Sequence, residues 1–137
     1  MTERTDSTNL ARGEREPLPP RREGYIQKAK IEGLNLYIHT GNYPDGRLGK
    51  IFLTGDHTGK LLDEFATAIN LGLQRGVPLE AFVDNFVSKK DSQRIIRIEG
   101  HPEIKRAASV FDYVFRALAI TYLNRQDLAD TIQEQQV

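Results

Sequence analysis

The sequence lacks cysteine and tryptophan, and its 137 residues include a single methionine. Without cysteine the chain can form no disulfide, thiolate zinc site or iron–sulfur cluster, and it can supply no cysteine nucleophile or thiyl radical. No stretch approaches the roughly 18 apolar residues that a membrane span requires. The N-terminus also lacks the apolar region of a secretory signal peptide. We therefore expect a cytoplasmic protein that does not cross a membrane.

An excess of charge is also missing, because 19 basic side chains face 19 acidic ones. Proteins that bind nucleic acid by bulk electrostatics usually carry a strong basic excess, so the zero net charge argues against this mode of binding. A local basic patch is still compatible with the composition. The length suits one domain with a tail.

The two ends of the chain differ from its middle. Residues 1–22 contain few apolar side chains but three prolines, Pro17, Pro19 and Pro20, which predicts a disordered leader. We expect removal of residues 1–20 to leave the fold intact. The pattern predicts a folded domain over residues 23–127 and a frayed tail over residues 128–137.

Period-2 alternation of apolar and polar residues predicts several strands in the first half of the domain. The predicted strands cover residues 25–31, 34–39 and 50–54, and a further short strand is expected at 95–98. Turn signals separate the first three, including Pro44-Asp45-Gly46. Because short turns join them, these strands should be antiparallel.

Three segments show the spacing of amphipathic helices. The first begins after the candidate N-cap Thr58, the second begins at Pro78, and the third runs from about Pro102 to Asn124 with Phe111 and Phe115 on its buried stripe. The predicted fold class is α+β, with an antiparallel three- to four-stranded sheet packed against two or three helices.

No set of residues has the spacing of a catalytic or metal site. The histidines stand apart at 39, 57 and 101, and we expect them on the surface. The segment from Gly55 to Lys60 resembles a phosphate loop, but only three residues separate its glycines where the motif needs four. A weaker anion contact at the helix start would use Lys60. We assign no catalytic, cofactor-binding or metal-ligating residue.

The most basic segment lies between residues 89 and 106 and has a local excess of three positive charges. It could hold the phosphates of a nucleotide or nucleic acid, or it could be a solvated loop. The candidate phosphate or nucleic-acid contacts are Lys60, Lys89, Lys90, Arg94, Arg97, Lys105 and Arg106.

Several separated blocks of the sequence occur in an order typical of one family. They are residues 28–33, 37–41, 45–52, 68–80 and 108–119, and residues 17–25 are similar to the linker that precedes them. In these blocks the chain resembles the C-terminal domain of adenosylcobalamin-dependent (class II) ribonucleotide reductases. This domain is the TSCPD domain, which also occurs alone in small proteins.

The departures from that family define what the resemblance implies. The chain has no catalytic barrel, no Thr-Ser-Cys-Pro-Asp signature and no cysteine, so no catalytic or cobalamin-binding residue carries over. We expect no cofactor and no ribonucleotide reduction by this chain alone. The resemblance implies a stand-alone, non-catalytic module that acts through protein–protein association in or near deoxyribonucleotide metabolism and DNA synthesis.

Partners remain open at this point. The resemblance allows a homodimer or a complex with a ribonucleotide reductase large subunit. The alternative is a small nucleotide- or nucleic-acid-binding regulatory protein that uses the basic 89–106 segment. An enzyme in its own right has the least support.

Overall fold

The computed structural model describes residues 13–56, 60–88 and 95–130. Its elements, in chain order, are β1 (Ile26–Ile31), β2 (Leu34–Asn42), β3 (Leu48–Gly55), α1 (Lys60–Leu73), α2 (Leu79–Phe86), β4 (Ile96–Glu99), β5 (Arg106–Ala107), α3 (Val110–Leu123) and a short 3₁₀ helix (Gln126–Leu128).

The strands form one antiparallel sheet in the order β3-β2-β1-β4-β5. The β1–β2 hairpin turns at Glu32 and Gly33, whose φ angles of 51° and 87° lie in the left-handed region that glycine tolerates best. The α+β class is confirmed. The sheet has five strands, more than the three or four predicted, because the two-residue β5 lies inside the segment predicted as helix.

One face of the sheet carries the hydrophobic core. Alternate strand residues such as Ala29, Leu36 and Ile51 are buried there against the helices. α1 packs along β3, and α2 packs on α3. The apolar residues of the predicted alternation therefore lie on the buried face of the sheet, and most of the polar residues lie on the opposite face.

The opposite face of the sheet, which we call the open face, is covered by none of the described helices. The strand registers and the exposure of the side chains identify the residues of this face. They include Ile26, Lys28, Lys30, Tyr37, His39, Lys50, Phe52, Thr54, Arg97, Glu99 and Arg106.

The last helix begins at Val110, so the start predicted near Pro102 is wrong. Ser109 is its N-cap, and its hydroxyl accepts a hydrogen bond from the Asp112 amide at 3.0 Å. The residues before it form β5 and turns. The end of the helix at Leu123 agrees with the prediction, since Asn124 adopts a left-handed conformation with φ 56°.

Residues 13–22 contact the domain, contrary to the predicted leader, and residues 1–12 lie outside the described residues. The Glu16 amide donates to the Gln74 carbonyl at 2.7 Å, and its own carbonyl accepts from the Tyr43 hydroxyl at 2.9 Å. The Glu16 carboxylate pairs with Arg47 at 3.0 Å. Leu18 lies over Gly49, where a Cβ would come within 2.7 Å of the leucine. The polar contacts of Glu16 and the apolar contact of Leu18, rather than apolar periodicity, hold this segment.

The start of the predicted tail is also ordered by long-range contacts. Asp130 is buried, and its carboxylate accepts hydrogen bonds from the amides of Lys105 and Arg106. This bond network ties the segment after α3 to the strand β5, so residues 128–130 belong to the domain.

Removal of residues 1–20 is now expected to lower the melting temperature by more than about 4 °C, which corresponds to roughly 1 kcal/mol for a domain of this size. The physical reason is the loss of the Glu16 and Leu18 contacts. Thermal unfolding of the full chain and the shortened chain measures the difference. Glu16→Gln, which removes only the ion pair, should cost less, about 0–1 kcal/mol. An unchanged melting temperature for the shortened chain would show that these contacts add nothing.

Candidate functional site

An aromatic pair occupies one end of the open face. Phe52 on β3 lies directly opposite His39 on β2, with ring centroids 5.4 Å apart and an interplanar angle of 53°. Ile26 on β1 continues this row beyond His39. The exposed fraction of Phe52 is 53%. A large aromatic ring is thus presented to solvent on the surface of the sheet.

The next row of the open face holds a second aromatic ring. Tyr37 on β2 faces Thr54 on β3 and Lys28 on β1. The Lys28 ammonium lies over the tyrosine ring, 5.9 Å from its centroid. The His39 Nε2 lies 3.0 Å from the Thr54 hydroxyl, which fixes the imidazole against the sheet.

The cations of the open face form a strip across the sheet, which we call the basic strip. Its members are Lys28, Lys30, Lys50, Arg97 and Arg106. Arg97 on β4 faces Arg106 on β5, and Glu99 is the one acidic side chain of the open face within the described strands. Arg97 lies 3.7 Å from Glu99, but both side chains are more than half exposed, so solvent screens this pair.

The helix layer carries charge of the opposite sign. The exposed acidic residues of α1 and α2 are Asp63, Glu64, Glu80 and Asp84, against the single cation Lys60. The two helices are thus acidic and the described strands of the open face are basic, and the two regions meet where Asp63 lines a groove with Lys50 and Phe52. The net charge of zero that the sequence gives does not reveal this distribution.

A shallow pocket of about 270 Å³ adjoins the aromatic pair at the β3 edge of the open face. Its walls include His39, Phe52, Lys50 and Arg22. The Arg22 side chain crosses over Gly41, where a Cβ would lie 3.0 Å from the guanidinium Nε. Two cations therefore flank the exposed aromatic ring.

The predicted contact residues are only partly brought together. Lys89, Lys90 and Arg94 lie outside the described residues. Lys60 is the first residue of α1, is exposed and is not on a strand of the sheet. Lys105 precedes β5, while Arg97 and Arg106 face each other.

Sequence reasoning missed Lys28, Lys30 and Lys50. Their signal was the spacing of two residues, which places Lys28 and Lys30 on one strand face and Lys50 beside Phe52 on another.

The expectation of surface histidines is wrong for His101, which is buried. Its ring packs edge-on against Tyr113 with centroids 5.8 Å apart, and its Nδ1 accepts from the Glu103 amide at 3.0 Å. Burial lowers the pKa of His101 and raises the pKa of Tyr113. His101 thus belongs to the core, while His39 lies on the open face and His57 lies outside the described residues.

A second surface feature is a groove of about 520 Å³ at the end of the sheet that holds the β1–β2 turn, and its lining is mostly apolar but includes the acidic residues Glu32 and Asp56. We call it the end groove. Leu34 and Leu61 rise from its rim with exposed fractions of 47% and 68%. Ile96, Val110 and Phe111 contribute to its walls. The predicted burial of Phe111 is therefore only partial, whereas that of Phe115 is complete.

Residues 13–56, 60–88 and 95–130 contain no metal-ligating cluster. Within these ranges, no three histidine, aspartate or glutamate side chains are grouped as a metal would require. None of the helices there has the length and apolar character needed to span a membrane.

Comparison with known proteins identifies the domain. The family model described as the TSCPD domain matches residues 10–122. The chain is 48% identical over 120 residues to the vitamin B12-dependent ribonucleotide reductase of Agrobacterium fabrum, which covers 85% of this chain and 9% of the relative. It is 47% identical over 120 residues to the enzyme of the same name from Bradyrhizobium diazoefficiens, covering 85% of this chain and 10% of the relative.

The vitamin B12-dependent ribonucleotide reductase of Rhodopirellula baltica is more distant, at 36% identity over 126 residues, covering 87% of this chain and 12% of the relative. The chain thus corresponds to about a tenth of the relatives it matches. No solved structure matches it. The resemblance read from the separated sequence blocks is confirmed, and the chain belongs to the TSCPD domain family.

Proposed function

We propose that this domain is a non-catalytic binding module that acts in or near deoxyribonucleotide metabolism by associating with the catalytic part of a ribonucleotide reductase. The observation that carries the proposal is the 48% identity over 120 residues to a region that makes up 9% of a vitamin B12-dependent ribonucleotide reductase. The proposed role places the protein in the cytoplasm.

The chemistry of the chain supports binding rather than catalysis. A chain without cysteine can supply neither a thiyl radical nor a dithiol reductant. The conspicuous features of its surface are an exposed apolar rim and a segregated charge pattern, which are features of recognition surfaces.

The end groove is the surface that we assign to this association. Leu34, on the β1–β2 hairpin, and Leu61, in the first turn of α1, converge on one concave feature although 27 positions separate them. Contiguous exposed apolar surface of this kind marks protein contacts, because covering it removes apolar area from water. A partner with an apolar side chain could fill the groove between the two leucines.

The double substitution Leu34→Asp and Leu61→Asp is expected to weaken binding to a reductase by at least about tenfold, because it places two charges where apolar contact is needed. The measurement is titration calorimetry with the catalytic part of the Agrobacterium fabrum relative, cut so that it lacks its own matching region. Leu71→Asp is the matched control, since Leu71 on α1 has an exposed fraction of 55% and does not line the groove.

Two results would count against this account. If the unmodified chain gives no binding heat, the association itself is wrong. If Leu71→Asp weakens binding as much as the double variant, the end groove is not the contact surface. A homodimer built on the same groove would appear as concentration-dependent mass of the chain alone, and the double variant would abolish it.

The alternative function is nucleotide or nucleic-acid binding through the 89–106 segment, and the cations of that segment in β4 and β5 lie on the open face of the sheet. Of that segment, Arg97 and Arg106 face each other, and their charge continues across the open face through Lys30 and Lys28. For this alternative we therefore propose a polyanion site on the sheet, centred on Arg97 and Arg106 among the described residues.

A further inference from the structure

We propose that the open face binds single-stranded nucleic acid, with bases stacked on Phe52 and Tyr37 and phosphates held by the basic strip. This site lies on the opposite side of the sheet from the core and does not include the end groove. It is independent of the reductase association proposed above, so either proposal can fail without the other.

The aromatic rings supply the first part of the argument. A phenylalanine that is 53% exposed on a strand surface loses the apolar burial that such a ring normally gains. The neighbouring His39 ring, 5.4 Å away and tilted by 53°, and the adjacent Tyr37 extend the aromatic surface over two rows of the sheet. Nucleic-acid bases stack on aromatic side chains of this kind, and the stacking tolerates any base because each has a π face.

The cations supply the second part. Lys50 lies on β3, Lys28 and Lys30 on β1, and Arg97 and Arg106 on β4 and β5. Lys50 pairs with Gly41 on β2, whereas Arg97 lies beyond the Lys30–Glu99 pair, so the cations run diagonally over five strands and the outer ones are more than about 19 Å apart. A single mononucleotide cannot reach both ends of such a strip, whereas a strand of several nucleotides can.

The occupant must also be single-stranded. Bases in a duplex are stacked on each other and present only their edges in the grooves, which the face of a five-stranded sheet is too broad to enter. In a single strand the bases are free to turn towards Phe52 and Tyr37 while the phosphates meet the surrounding cations. In the pocket next to Phe52, a base can stack on the ring while its phosphate contacts Arg22 and Lys50.

The charge separation between sheet and helices supports the same assignment. The basic strip attracts a polyanion to the sheet, and Asp63 of α1, which lines a groove with Lys50 and Phe52, disfavours its extension past the β3 edge towards the helices. The attraction is local, so it does not require a basic excess over the whole chain. An acidic protein surface would share this charge preference, but it would not stack on the exposed rings.

The test is fluorescence anisotropy of a labelled oligothymidylate titrated with the full chain at low and physiological salt. Phe52→Ala is expected to weaken binding by about fivefold or more, because stacking on the ring is lost. Phe52→Tyr should restore affinity because it retains a ring. Leu71→Ala is the control for removing an exposed apolar side chain elsewhere.

The phosphate contacts are tested by salt dependence. Replacing Lys28 and Lys50 with glutamine should lower the slope of log affinity against log salt by about 1.4 for a single strand. The pair Lys60→Gln and Lys105→Gln removes the same charge away from the basic strip and should leave the slope unchanged. Denaturation midpoints of all variants establish that they remain folded.

Three results would overturn the proposal. The first is no salt-dependent binding of the oligonucleotide by the unmodified chain. The second is equal affinity of Phe52→Ala and the unmodified chain. The third is binding of a duplex of the same length as tightly as the single strand. Loss of reductase binding in Phe52→Ala, with no oligonucleotide binding at all, would assign the open face to a protein instead.

Discussion

Phe115→Ala is expected to lower the free energy of unfolding by about 3–5 kcal/mol. Phe115 on α3 is fully buried, and its ring contacts three other phenylalanines: Phe82 and Phe86 on α2 and Phe65 on α1, with centroids 6.1, 5.4 and 5.8 Å away. Truncation leaves a cavity at the point where the three helices meet. Chemical denaturation of the two proteins measures the change.

Phe52→Ala is the matched control for this prediction, because it is the same chemical change at an exposed position of the sheet. Its cost should be no more than about 1 kcal/mol, the value of a cross-strand pair. An unchanged denaturation midpoint for Phe115→Ala would contradict the core assignment. A loss that depended on protein concentration would instead place Phe115 in an interface between copies.

Asp112→Ala is expected to cost about 3–5 kcal/mol for a different reason. The Asp112 carboxylate is fully buried and accepts hydrogen bonds from the amides of Ser88 and Ala108 at 2.8 and 2.7 Å. It also pairs with the Arg116 guanidinium at 3.0 Å, and only 17% of that side chain is exposed. The substitution leaves a largely buried cation and two amides without their acceptor.

A double-mutant cycle separates the two parts of this effect. Asp112→Ala combined with Arg116→Met should be less destabilising than the sum of the single changes, because the unpaired cation is removed as well. Asp127→Ala is the control, since the Asp127–Arg125 pair at 2.8 Å is exposed and should be worth about 0–1 kcal/mol. Equal losses for Asp112→Ala and Asp127→Ala in denaturation experiments would show that burial of the Asp112 carboxylate adds nothing to its contribution.

Most elements of the fold could be predicted from local patterns in the sequence. The alternation in β1, β2 and β3 and the apolar stripes of α1 and α2 are repeated every few residues, so the sequence displays them directly. The burial of Leu36 and Ile38 on one strand face follows from this alternation. The structure confirms these elements with small shifts at their ends.

The start of α3 could not be predicted in the same way. Ile104, Ala107 and Ala108 continue the helical spacing of the stripe that follows them, and all three are buried in the structure. They are buried in the non-helical residues around β5, where the amides of Lys105 and Arg106 donate to the Asp130 carboxylate, about 25 positions later in the sequence. Contacts over such a distance leave no periodic signal.

Residues 13–22, which precede the sheet, were also predicted incorrectly because their contacts are distant in sequence. The contacts of Glu16 with Tyr43, Arg47 and Gln74 span 27, 31 and 58 positions. A segment with low apolar content looks disordered when judged alone. Here partners supplied by the folded domain hold it in place.

The candidate surfaces depended on strand register. The basic 89–106 segment was visible because its cations are close in sequence, yet within it the fold brings only Arg97 and Arg106 face to face in the described residues. The joining of Lys28, Tyr37 and Phe52 on one face requires the pairing of three strands. From the sequence alone, Lys28 and Lys30 could be placed on one face of β1, and Lys50 and Phe52 on one face of β3. The residues that lie beside them on the other strands could not be predicted.

The most direct measurement for the central claim, that this domain works by binding to a reductase, is sedimentation velocity of the labelled chain mixed with the catalytic part of the Agrobacterium fabrum relative lacking its own matching region. We predict that the labelled chain sediments with the larger protein and that Leu34→Asp with Leu61→Asp returns it to its own slow boundary. Sedimentation of the unmodified chain as a separate slow species at every concentration of the reductase would contradict the claim.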